Sequence, residues 1–276
     1  IIRSKIALRI GDLLDPDEEN LREQCLLSAF ESHTTALNYL RYFFYSKSSQ
    51  KNQNLNTIFN GYLNKIQKEK TSDYDCTSES GSIHSLNMPL QLNIHNINFL
   101  IGNFDVFFEK YINTDQYLSW SSTYIHESLA MLLFIMSNDY AYRHGILKML
   151  LKIRKCFLFT KESFYTGLHT TTEDNDNTLF ITVMNRWKKT IQLSNDNKNT
   201  FINRIELLVD KRVAAIMEND RRDYYGECAE FIAAIGEVLE SWGKNNAKND
   251  IMLKYKLRYP RRRSFIKELH LMGMKG

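Results

Sequence analysis

Arg263 and His270 have six residues between them. On a helix that spacing puts both on one face. A guanidinium can bind an anion, and an imidazole can take up or release a proton. The other histidines, His33, His84, His95, His126, His144 and His169, are scattered. No His-x-x-x-His pair occurs, and His126-Glu127 lacks the second histidine of a zinc helix, so no metal ligand is assigned. Ser121 and Ser122 follow Trp120 without the Gly-x-Ser-x-Gly elbow of an activated serine, and they read as helix-capping residues. No Gly-x-Gly-x-x-Gly and no Gly-Lys-Ser/Thr is present, so the sequence assigns no phosphate loop, cofactor or catalytic residue.

Two clusters could contact a partner or a phosphate. The run Pro260-Arg261-Arg262-Arg263 reads as the first turn of the last helix, with Pro260 at its first position. Three guanidiniums there could grip phosphates. Alternatively they lie over neighbouring helices and bond acids such as Glu227 or Glu230. Cations at a helix N-terminus cost roughly several tenths of a kcal/mol each, so a compensating partner is expected. In Arg221-Arg222-Asp223-Tyr224-Tyr225, basic residues beside aromatics suit single-stranded nucleic acid, whereas at a helix turn the tyrosines pack on the next hairpin. The charge is uneven. Residues 251–276 carry eight basic side chains against Glu268, a net +7 in a chain of +4 overall. A basic end of this kind meets phosphate, meets an acidic partner or forms a solvated helix.

The elements that would position these residues are helices. Apolar residues recur at helical spacing over 2–14, and Pro16 opens a second helix with Asp17, Glu18 and Glu19 in its first turn. Its expected buried face is Leu21, Leu26, Leu27 and Phe30. A third helix, 34–45, turns Leu37, Leu40, Phe43 and Phe44 inward. A weaker one covers 55–68, and 71–88 is a polar connection and the one soft boundary. Further helices are expected at 91–101, 104–113, 117–136, 141–159 and 178–193, with loops at 170–177 and 194–197. Then follow 201–218, a turn at 219–222, and helices at 223–242, 246–259 and 261–271. No alternating pattern is long enough for a sheet. The fold class is therefore all-α, and antiparallel pairs with short links describe an α-solenoid over 1–276.

Gly236, Gly243 and Pro260 punctuate the last two long helices as in a tetratricopeptide-like unit: a small residue where helices touch, a glycine in the turn, a proline closing the second helix. Residues 206–269 resemble the helical C-terminal region of bacterial SWIM zinc-finger proteins. The likeness rests on Lys211-Arg212-Val213, Tyr224-Tyr225, Ala229, Ala233, Ala234, Gly243, Tyr259 to Phe265, and Glu268-Leu269. Residues 22–40, 98–105 and Trp120-Ser121 are similar in style. The finger itself, Cys-x-Cys…Cys-x-His, does not occur here, so the resemblance implies a helical region without transferable ligands or catalytic residues. The Arg263/His270 spacing resembles the active pair of the helical HEPN ribonucleases, with Ser264 where that family has a polar residue; the resemblance implies a pair that, doubled across a dimer, stabilises a scissile phosphate and moves a proton.

The sequence has 276 residues, is 43% hydrophobic and has only three prolines, which suits a sizeable helical core. Cys25, Cys76, Cys156 and Cys228 share no metal or disulfide spacing, and Cys25, Cys156 and Cys228 read as core thiols of a reducing compartment. The most apolar run, 128–137, is too short to span a bilayer, and residues 1–5 carry no cleavage pattern. The chain opens inside a helix without Met and reads as the C-terminal part of a longer bacterial, cytoplasmic protein. The expected function is a non-enzymatic scaffold that binds a protein partner, with no cofactor, metal or membrane. The alternatives are nucleic-acid binding through the basic end and a HEPN-like ribonuclease. The residues expected to make contacts are Arg221, Arg222, Tyr224, Arg261, Arg262 and Arg263.

Overall fold

The computed structural model describes residues 2–14, 17–33, 102–112, 124–138, 144–153, 173–191 and 193–275, with the single positions Asn38, Tyr42, Thr57, Gly61 and Phe99. Among these residues every regular element is helical. None of the described helices is long and apolar enough to cross a membrane. The chain forms two compact units, one of residues 1–103 and 161–176, the other of residues 104–160 and 177–276. The polar stretch 71–88, the interior of the expected 55–68 helix, the faces expected at Leu37, Leu40, Phe43 and Phe44, and Trp120 with its serines lie outside the described residues.

In the first unit α1 (Ile2–Leu13) and α2 (Glu19–Ser32) form an antiparallel pair. They approach closely at Gly11, where an added Cβ would lie 3.4 Å from the Cβ of Cys25. Arg22 of α2 reaches back, with Nε donating to Gly11 O at 3.2 Å and Nη2 to Leu14 O at 2.7 Å. A buried cation therefore closes the carbonyl end of α1, the end where the helix dipole favours it. This corrects the expected face of α2. Leu26 and Phe30 are buried, but Leu21 is exposed while Arg22 and Glu23 take inward places. Asn38 is buried too. Its amide donates to Ser4 Oγ (3.0 Å), Ala29 O (3.3 Å) and His33 O (2.9 Å).

The second unit contains α3 (Phe104–Tyr111), α4 (Tyr124–Met136), α5 (His144–Ile153), α6 (Glu173–Thr190, from residue 177 onward), α7 (Asn195–Glu218), the short 3₁₀ turn η1 (Arg222–Tyr224), α8 (Tyr225–Ser241), α9 (Ala247–Arg258) and α10 (Arg263–Leu271). Two boundaries differ from the sequence expectation. The polar run 194–197 opens α7 instead of ending its predecessor, because Ser194 Oγ accepts from Asn197 N at 3.1 Å and caps it. Helix α6 also begins at Glu173, inside the stretch expected as a loop.

Helix α8 is the centre of this unit. Every residue from Tyr225 to Leu239 except Gly226 is buried, and α4, α5, α7, α9 and α10 all pack on it. Small residues make that possible. At Gly236 a Cβ would stand 2.3 Å from the Cα of Lys248, so α9 crosses α8 backbone against backbone. The turn between them ends in a left-handed Gly243 (φ +92°), with Lys244 N bonded to Leu239 O (3.1 Å) and Gly243 N to Glu240 O (2.9 Å), the Schellman pattern. Helix α7 ends in the same pattern, with Arg221 N on Ile216 O at 3.0 Å, but its left-handed residue is Asp220 (φ +49°). There the chain accepts an unfavourable backbone conformation and keeps a carboxylate.

Candidate functional site

That carboxylate is the hub of the basic end. Arg222 Nη2 lies 3.3 Å from Asp220 Oδ2, Arg262 Nη1 bonds Asp220 Oδ1, and Tyr225 OH is 3.5 Å from the same oxygen. The second guanidinium nitrogen of Arg262 donates to Met217 O. The hydrogen bond from Arg222, with the two arginine charges, holds the Asp220 carboxyl below the usual carboxylate range. Because that pKa is lowered on folding, the clamp is complete above the ordinary carboxylate range and is lost as pH falls through the depressed value. Arg262 thus ties the turn before α10 to the turn after α7, and both sequence clusters sit at one end of the unit.

The clusters divide into engaged and free members. Arg222 and Arg262 are held by Asp220, and Tyr224 is half-buried with its ring 4.9 Å from the guanidinium of Arg212. Arg221, Arg261 and Arg263 are exposed and form no ion pair among the described residues. Lys267 is exposed as well, one turn beyond Arg263 on α10. Farther along the basic segment, Lys254 and Arg258 face Asp210 of α7 at 3.9 and 3.5 Å. Acids of α7 therefore absorb part of the charge that the sequence places at the C-terminal end.

Two expectations about this end are corrected. Pro260 does not open the last helix. It stands in an exposed turn, and α10 begins at Arg263 with Arg262 as its N-cap. The glutamates expected to receive the arginines are engaged elsewhere. Glu227 accepts from Arg212 Nε (3.0 Å) and Nη2 (2.8 Å), and Glu230 pairs with Lys148 at 3.3 Å and with Lys152. Both glutamates are buried on α8, and these partners come from α7 and α5, not from the arginines of the basic end.

Arg263 and His270 lie at opposite ends of α10, both exposed, and His270 Nδ1 is 3.1 Å from Met274 O. Between them the structure shows no bond that would orient the imidazole toward the guanidinium. Cys228 is a free buried thiol, which desolvation pushes up to about 12, so it carries almost no thiolate at neutral pH. Cys25 is a free, half-buried thiol, also raised by burial. Among the described residues no group of three His, Cys, Asp or Glu side chains is placed to hold a metal ion.

Three further features escaped the sequence reading. Glu237 on α8 is completely buried. Its two oxygens accept from Gly145 N (2.9 Å) and Ile146 N (3.0 Å) at the start of α5, and Lys248 Nζ stands 2.6 Å away. The carboxylate is an N-terminal cap supplied by another helix. An open polar cleft of about 430 Å³ is lined by Asn138, Asn195, Lys198, Asn199, Trp242 and Lys244. Its groups partly satisfy one another, with Lys198 Nζ on Asn138 Oδ1 at 3.0 Å and Trp242 Nε1 on Met136 O at 2.8 Å.

The third lies in the first unit. Helix α1 buries Gly11 against α2 and Ser4 beside Asn38, and leaves Ile2, Ile6, Ile10 and Leu13 exposed, at 74%, 54%, 49% and 68%. Steps of four, four and three residues keep those four on one face. The pair Ser4 and Gly11, seven apart on the opposite face, was the signal in the sequence that the small side of this helix packs and the apolar side does not. No protein-family model, curated protein or solved structure matches the chain.

Proposed function

We propose that this chain is a non-enzymatic helical module that binds a protein partner, acting in the bacterial cytoplasm. The observation that carries the reading is the face of α1. Single exposed apolar side chains are ordinary, but four in register on one helix form a patch of the kind that marks an interaction site. Covering them would contribute roughly 1 kcal/mol or more per side chain. The tetratricopeptide-like form of the scaffold is supported by the α8–Gly243–α9 hairpin with its contact at Gly236, and such scaffolds recognise partners with little reorganisation. Relatedness to the helical region of SWIM zinc-finger proteins belongs to the same proposal.

The test is affinity capture with the whole chain, followed by Ile6→Asp and Ile10→Asp. We expect wild type to retain a defined protein that both variants release while their helical circular dichroism is unchanged. Retention of the same protein by the variants would rule out the α1 face.

A second reading, nucleic-acid binding, is favoured by the free cations Arg221, Arg261, Arg263 and Lys267. It distinguishes residues the sequence could not. Arg261→Ala with Arg263→Ala is expected to weaken binding of a labelled single-stranded RNA in anisotropy titrations and to lower the salt slope by about 0.7 per lost phosphate contact. Arg222→Ala, engaged with Asp220, is expected to do much less. No binding to wild type even at low salt would end this reading.

A further inference from the structure

The exposed face of α1 is bordered mainly by cations. Lys5 and Arg9 run along one edge of the stripe, four residues apart, and Arg3 borders the other. All three are exposed and form no ion pair among the described residues. The helix's single acid, Asp12, falls by helical spacing on the Lys5 and Arg9 edge, which leaves the borders three cations to one acid. Its other long side is occupied, since Gly11 packs on α2, Ser4 is buried and accepts from Asn38, and Arg22 closes the carbonyl end. The face is therefore held in place by its back and end, with its apolar stripe and cationic borders directed outward.

Resting on the protein-binding reading above, we infer that the occupant of this face is an amphipathic helix of another protein whose apolar stripe is bordered by carboxylates. A helix laid along α1 places its own apolar residues against Ile2, Ile6, Ile10 and Leu13, as in helix-in-groove recognition. Its flanking side chains then meet Arg3, Lys5 and Arg9. Carboxylates there form charge-assisted pairs at the rim and steer the encounter, whereas cations meet like charge. The same argument disfavours a second copy of α1, because two copies packed through this face would oppose borders that are each net cationic, three cations to one acid.

The experiment uses the whole 276-residue chain and two labelled synthetic helical peptides. Both carry leucines in the four-four-three spacing of the stripe, one with glutamates on its flanks, the other with lysines. Fluorescence anisotropy is expected to show the glutamate peptide binding about tenfold or more tightly than the lysine peptide at low salt, with the gap narrowing as salt rises. Lys5→Glu with Arg9→Glu is expected to reverse the preference, and Ile6→Asp to abolish both complexes.

Equal binding of the two peptides, lost with Ile6→Asp, would overturn the acidic occupant and leave a purely apolar docking face. Self-association in sedimentation that disappears with Ile6→Asp would overturn it in favour of a second copy. Binding of neither peptide by a monomeric chain would overturn the inference. If affinity capture still yields a protein released by Ile6→Asp, only the acidic helix has failed; if it yields none, the protein-binding reading has failed with it.

Discussion

Gly236→Ala is expected to destabilise the second unit by about 3 kcal/mol, the upper end of the cost of overpacking, and to lower its melting temperature by roughly 6–12 °C. The new methyl carbon would be placed 2.3 Å from the Cα of Lys248 and 2.9 Å from its backbone nitrogen. Both are main-chain atoms, so no rotamer change relieves the clash and α9 has to move as a body. That movement is opposed at both ends. Lys248 Nζ is bonded to the buried Glu237, and Met252 and Tyr255 are packed in the core. Gly243→Ala is the comparison. Nothing lies within 4 Å of its added Cβ, so only the left-handed conformation (φ +92°) is penalised, by about 1–2 kcal/mol. Differential scanning calorimetry of the two variants measures both. A loss at Gly236 no larger than at Gly243 would mean that the crossing is not held rigidly and that α9 slides along α8.

The same two glycines show how much of the fold was legible. Their spacing and Pro260 identified a hairpin of two helices, and the hairpin is present with the contact at Gly236 and the turn at Gly243. Glycine is informative because only it tolerates such a crossing or such a φ. Periodicity likewise placed a helix over 201–218, and the buried side of α7 runs from Phe201 through Ile205, Val209 and Val213 to Ile216. Polar punctuation was more ambiguous. Ser194 to Asn197 reads equally as the end of one helix or the cap of the next, and only the hydrogen bond from Asn197 N to Ser194 Oγ decides.

The basic end was legible as a place and misleading in its details. The two arginine clusters do converge, because Arg262 crosses to Asp220. Which arginines are engaged was not readable, since it depends on a carboxylate held forty-two residues away by a left-handed backbone. Helix α1 failed in the opposite way. Its apolar periodicity was plain in the sequence, but periodicity reports only that a face is apolar, not that its own fold covers it. The burial of Gly11 against α2 and of Ser4 beside Asn38 shows which side of the helix its own fold covers.

Arg212→Met is expected to cost about 3–5 kcal/mol, and Arg212→Met with Glu227→Leu much less than the single change. Arg212 is 1% exposed, and both nitrogens it directs at Glu227 fall on one carboxylate oxygen. The face of Tyr224 covers its guanidinium, so water does not replace a lost partner. Removing the arginine alone therefore takes two charge-assisted hydrogen bonds from a buried carboxylate on the most buried helix of the unit. His126 Nδ1 is 3.7 Å from the second oxygen, beyond hydrogen-bonding distance. Replacing both charges removes the desolvation problem along with the attraction, which is why buried pairs add little stability yet are costly to break. Chemical unfolding of the wild type, both single variants and the double variant closes the cycle. A double variant as unstable as Arg212→Met would show instead that the arginine acts by packing under Tyr224, and that the pair with Glu227 is incidental to it. The cycle bears on function as well. Tyr224 stands beside the free Arg221, and a guanidinium under its ring fixes where that turn presents its cations. On the nucleic-acid reading, Arg212→Met should then weaken RNA binding in variants that remain folded, although Arg212 never touches the ligand.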